Sequence, residues 1–107
     1  MPQYMIQFAY TADAWSAMTK NPVDRSEAIR GLAQKLGGKF TGLYYTMGEW
    51  DGVVLFEAPD DATAIATSMA AIAPGHLRST KTTRLYTPAE MMQSMKKAQG
   101  ANYQAPK

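Results

Sequence analysis

None of the 107 residues is a cysteine, which excludes disulfides, thiolate nucleophiles and sulfur-ligated metal. Histidine occurs once, so no metal site can draw two histidines from one chain. Neither sign of charge dominates: 11 Lys and Arg stand against 9 Asp and Glu, a net charge of +2. The basic residues do not cluster. Arg78 and Arg84 share one face of a strand while Lys81 points to the other, and Lys96 and Lys97 suit the negative end of a helix. Nucleic acid is therefore not an expected partner. No apolar run approaches the ~20 residues that span a bilayer. Met1-Pro2-Gln3-Tyr4 has no basic stretch leading into an apolar one, so no leader peptide and a cytoplasmic location are expected, with no membrane partner. Glycine-rich phosphate loops, nucleophile elbows and zinc spacings are missing too, which argues against nucleotide hydrolysis, serine hydrolysis and zinc chemistry.

The residues that are present have the balance of one packed domain, 46% hydrophobic and 19% charged. Residues 3–10 alternate, with Tyr4, Ile6, Phe8 and Tyr10 on one face, and predict a strand. Thr11 is an N-cap hydroxyl for a short helix bearing Trp15 and Met18. Asn21-Pro22 interrupts that helix, and Pro22 suits the first turn of a new one. Ala28, Ile29, Leu32, Ala33 and Leu36 form its apolar stripe, and Gly37-Gly38 is its stop signal. Residues 39–46 and 52–58 predict a hairpin whose second strand, apolar from Val53 to Phe56, is central in a sheet. Asp60 caps a further helix, with Ala62, Ile65, Ala66, Met69, Ile72 and Ala73 at helical spacing. Residues 77–86 supply a fourth strand. Thr87-Pro88-Ala89-Glu90 is a capping-box pattern that starts a last helix, running to about Ala98 and carrying Met91, Met92 and Met95.

This order predicts an α+β, ferredoxin-like βαββαβ fold over residues 1–87. The four-stranded antiparallel sheet carries helices on one face, and residues 88–107 append a C-terminal helix and tail. The strands are too apolar for the other sheet face to meet water. A second copy is the economical cover, so a homodimer or higher homo-oligomer is expected.

Four side chains stand out as ligand-binding candidates: His76, Tyr45, Trp50 and Arg84. His76, after Pro74-Gly75, can act as acid, base or axial haem ligand, or simply open the fourth strand. Tyr44 and Tyr45 point to opposite sheet faces, so only one can line a given pocket. Trp50 suits either a pocket for a planar ligand or a dimer seam. Arg84 can clamp a carboxylate or pair with Glu57. Glu49 and Asp51 read better as turn residues than as an acid–base pair, Asp51 tying the hairpin. The methionine stripe reads as a docking face rather than a soft-metal site. No metal and no cofactor is expected.

Gly48-Glu49-Trp50-Asp51 resembles the Gly-x-Tyr-Asp turn of GYD-domain proteins, with Trp50 in the tyrosine position. Glu57-Ala58-Pro59-Asp60-Asp61, Gly75 and Arg78-Ser79-Thr80-Lys81-Thr82 follow in the family's order. The resemblance covers roughly residues 3–86. It implies the dimeric α/β-barrel group, which includes cofactor-free monooxygenases, lactone isomerases and haem-binding enzymes, and it assigns no catalytic residue. Three readings follow: a small-ligand-binding or assembly module taking a small apolar or aromatic ligand, a cofactor-free monooxygenase or isomerase, or a haem protein using His76. Any pocket is expected between the sheet and the helices, near His76.

Overall fold

A computed structural model describes residues 1–106. Along them the chain forms β1 (Gln3–Tyr10), α1 (Ala12–Lys20), α2 (Ser26–Lys35), β2 (Lys39–Tyr45), β3 (Gly52–Glu57), α3 (Asp61–Ile72), β4 (Leu77–Leu85) and α4 (Pro88–Gln99). The strands make one antiparallel sheet in the order β2-β3-β1-β4. Two interleaved βαβ units produce that order, so the fold is the expected ferredoxin-like α+β sheet, with β1 and β3 in its centre. Tyr4, Ile6, Phe8 and Tyr10 of β1 and Val54 and Phe56 of β3 form the core, against which Ala14, Trp15, Met18, Ile29 and Ala64 of α1, α2 and α3 pack. β2 alternates imperfectly because its register against β3 shifts between Phe40 and Gly42.

The helix ends follow local rules. Thr11 and Asp60 accept from the backbone N–H groups of Ala14 and Thr63 at 3.1 and 2.8 Å. At the C-terminus of α2, Gly37 takes φ of 81°, Gly38 N donates to Ala33 O at 2.8 Å and Gly37 N to Gln34 O at 3.0 Å. That is a Schellman ending, whose left-handed position favours glycine. Thr87 and Glu90 complete the capping box of α4.

Two expectations need correction. α2 does not start at Pro22. Residues 22–25 lie outside any helix, and the Asp24 carboxylate accepts from Ser26 N at 2.9 Å, so the helix begins four residues later. The buried face of α3 is also not its apolar stripe. Ala64, Thr67 and Ser68 face the sheet, whereas Ile65 and Met69 are 50% and 63% exposed. Small residues let α3 lie close to β4. The hydroxyls are satisfied there, Thr67 donating to Thr63 O and Ser68 bonding Thr82 of β4, so burying them costs little.

Asp51 stands where β3 begins. Phe8 pairs with Gly52, so continuing the register would set Ala9 opposite Asp51 and Tyr10 opposite Trp50, but the chain has already left the sheet. The Asp51 carboxylate takes the vacated place. It accepts from Tyr10 N at 2.8 Å and Trp15 Nε1 at 3.2 Å, while Asp51 N donates to Phe8 O and Asp51 O accepts from Thr46 N, each at 2.8 Å. Gly52 is required beside it: a Cβ there would run into the Phe8 ring and lie 2.9 Å from Tyr44 O. Asp51→Ala strands a buried N–H and an indole N–H, and should lower the unfolding free energy by about 2–4 kcal/mol. Asp51→Asn keeps an acceptor and should cost about half as much. Urea denaturation of both variants checks this, and an Ala variant as stable as the parent would contradict it.

Candidate functional site

β1 ends in a register shift against β4: Ala9 pairs with Ser79 but Tyr10 with Leu77. Such an irregularity re-aims a side chain. The Tyr10 ring lies on the helix face, only 5% of the residue exposed. It meets Phe8 and Trp15 edge-on at 5.1 and 5.2 Å and faces His76 at 6.2 Å between ring centres. The Tyr10 and Tyr45 hydroxyls are 3.4 Å apart. His76 is fixed by its own backbone, since its carbonyl accepts from Thr11 N at 3.0 Å. Arg25 precedes α2 and is half-buried.

A cavity of about 190 Å³ lies between the sheet, α2 and α3. Ile6, Phe8 and Val54 form its floor, Ala28, Ile29 and Leu32 one wall, and Ala70, Ala71 and Pro74 the other. Its polar side chains are Tyr10, Arg25 and His76. The small residues of α2 and α3 leave this space where larger ones would fill it. A second, more open hollow of about 290 Å³ is lined by Ala14, Ala17, Met18, Asn21 and Val23, and again by Tyr10, Arg25 and His76.

Burial pushes the His76 imidazole below its ordinary value, and the Arg25 guanidinium adds to the shift. Burial, followed by the bond to Tyr45, pushes the Tyr10 phenol up. His76 is thus mainly neutral at pH 7, and Tyr10 keeps its proton.

The four candidates do not converge. His76 lines both hollows; Tyr45, Trp50 and Arg84 line neither. Tyr45 touches the site from behind, through Tyr10 and through an edge-on contact with Phe8 at 6.2 Å. Trp50 is half-buried, and its carbonyl accepts from the Thr46 hydroxyl at 2.6 Å. Arg84 pairs with Asp61 and Glu90 at 3.8 and 3.9 Å and lies over the Tyr86 ring, whereas Glu57 meets the N-terminal amine at 4.0 Å. Sequence reasoning missed Arg25 and Tyr10. The break at Asn21-Pro22 was the one available signal for the former.

Among the described residues no three His, Asp or Glu side chains gather to hold a metal. Neither hollow beside His76 is of a size to enclose a haem: about 190 and 290 Å³ are both below the roughly 300–1,000 Å³ of pockets for drug-sized ligands. No helix among the described residues is long and apolar enough to cross a membrane.

The model of the GYD domain matches residues 4–95. The chain belongs to the GYD domain family. Its aspartate position is Asp51, whose bonds to Tyr10 and Trp15 give the family turn a role in holding this site. Among solved structures, this GYD-domain chain is similar to MtbAldR (Rv2779c), with a TM-score of 0.55 and 17% identity over 80% of this chain and 52% of that one. It thus spans about half the length of MtbAldR. It is also similar to TTHA0845 from Thermus thermophilus, with a TM-score of 0.53 and 15% identity over 81% and 95% of the two chains. At these identities the likeness is one of fold. No curated protein matches the chain.

The single histidine should titrate below its ordinary value of about 6.5 in an NMR titration, and Arg25→Gln should raise its pKa. Folding favours the neutral ring, so between the two pKa values the unfolded chain binds more protons. His76 therefore lowers stability as pH falls below about 6.5 and has no such effect above it. A His76→Gln variant should lack that part of the acid slope. A folded-state pKa above the ordinary value would contradict the geometry.

Proposed function

We propose that this GYD-domain protein is a homodimeric module that binds a small apolar or aromatic ligand between its sheet and the helices α2 and α3. The observation that carries the reading is the cavity, apolar on its floor and both helix walls, with three polar side chains gathered at one end. An apolar cavity of about 150 Å³ holds a benzene molecule. At about 190 Å³ this one takes a single ring or a short chain. Binding without chemistry is favoured over a cofactor-free oxygenase or isomerase by the state of the polar groups. His76 has no hydrogen-bonded carboxylate among the described residues, and burial holds the Tyr10 phenol in its protonated form, a poor base at pH 7.

A dimer is supported by the sheet face turned away from the helices. It carries Met5, Val53, Leu55 and Leu85, all half-buried, and the exposed Tyr44. The single helical layer packs on the opposite face. Among the described residues α4 finds no substantial packing partner, and Met91, Met92 and Met95 are exposed. The radius of gyration is 17.4 Å, against about 13 Å for a compact chain of this length.

Titration with indole, followed by methyl NMR, should shift Ile29, Leu32 and Ala71, and Ala71→Phe should abolish those shifts by filling the space. Indole that leaves these methyls unmoved would refute the cavity as a binding site. Sedimentation equilibrium should return twice the chain mass at micromolar concentration. Leu55→Lys, placing a charge on the open sheet face, should return the monomer.

A further inference from the structure

The two hollows share a wall, and that wall holds the only polar side chains of the inner one. Tyr10, Arg25 and His76 line both. On one side lies the narrower apolar hollow under α2 and α3; on the other, the wider and more open one beside α1 and the segment 21–25. Arg25 has no carboxylate partner among the described residues. The ion pairs found there join Arg30 to Glu27, Arg84 to Asp61 and Glu90, and the N-terminus to Glu57. Asp24, its neighbour in sequence, is committed to Ser26 N. Asp51, a buried carboxylate at the end of the sheet, is committed to Tyr10 N and Trp15 Nε1. A half-buried guanidinium without an anion, facing an apolar cavity, is a charge waiting for a counter-ion.

The geometry points to an amphipathic organic acid as the ligand: a small apolar body in the inner cavity and a carboxylate at the Arg25–His76–Tyr10 wall. This rests on the ligand-binding reading above. Arg25 supplies the planar fork that matches a carboxylate. The Tyr10 hydroxyl, near the Tyr45 hydroxyl, and the His76 ring supply neutral donors beside it. The outer hollow is the route of entry, and it keeps the carboxylate partly hydrated. A neutral alcohol of the same chain length fills the same apolar space but leaves Arg25 unpaired.

The test compares hexanoate with hexan-1-ol, each titrated at pH 7 and low salt into the full chain and into Arg25→Gln, with the methyls of Ile29, Leu32 and Ala71 as reporters. Hexanoate should bind the parent about tenfold more tightly than hexanol, as expected for one charge-assisted contact. In Arg25→Gln the advantage of hexanoate over hexanol should fall to within about twofold. If both bind the parent equally, the acid assignment is overturned and the apolar cavity stands. If hexanoate keeps its advantage in Arg25→Gln, the carboxylate lies elsewhere and the assignment is overturned. If neither moves the reporter methyls, the assignment and the cavity reading fall together. The comparison on the parent protein decides the first and third outcomes even where the variant fails to fold.

Discussion

The buried carboxylate of Asp51 is the contact on which the arrangement around the site depends. Taking a charge out of water is costly, and only well-aimed hydrogen bonds offset the loss. Asp51 receives two through its side chain, from β1 and from α1, while its backbone closes on Phe8 and Thr46. One residue thereby joins the end of β1, the start of β3, the loop after β2 and the first helix. It holds Tyr10 at the point where β1 shifts its register against β4, and Tyr10 is the wall between the two hollows. The family turn and the site are thus linked by a hydrogen bond, although the turn itself does not line the cavity.

The cavity owes its room to the alanines among the residues that approach it from the helices. α3 presents Ala64, Thr67 and Ser68 to the sheet and Ala70 and Ala71 to the hollow, while α2 presents Ala28. Close approach along β4 is supported by the Ser68–Thr82 bond. Unfilled apolar space forfeits dispersion contacts that a packed interior would have. Leucine or methionine on the same backbone would recover them, which sets this hollow apart from ordinary packing.

At the opposite end of the sheet a different polar group directs the chain. The Tyr4 hydroxyl donates to Asp61 at 2.6 Å, and burial, aided by that bond, pushes the phenol up to about 12. Arg84 bridges Asp61 to Glu90 in the first turn of α4. The exit direction of the last helix is therefore set by β1, α3 and β4 together. This leads Met91, Met92 and Met95 into solvent rather than back onto the domain. An isolated helix of this length is marginal in water. Its capping box, Pro88 and the Arg84 contact supply local support.

By itself the sequence determined the kind and order of the elements, most of their ends and the family. Those features depend on short-range rules: alternation in β1, the hydroxyl and carboxylate caps at Thr11, Asp60 and Thr87, the paired glycines after α2, the turn at Gly48-Glu49-Trp50-Asp51. The packing face of α3 was not legible, because hydrophobic spacing favoured Ile65 and Met69, and only the nearness of Thr82 made a face of small residues and hydroxyls the better one to bury. The site was legible in one residue, His76. Tyr10 read as one of the apolar face of β1 and Arg25 carried no signal of its own, since nothing local distinguishes them. They line the same hollows because antiparallel pairing brings the end of β1 beside the start of β4, and because the segment before α2 passes that end. The gathering of residues 10, 25 and 76 is a product of chain closure, which no window of neighbouring residues encodes.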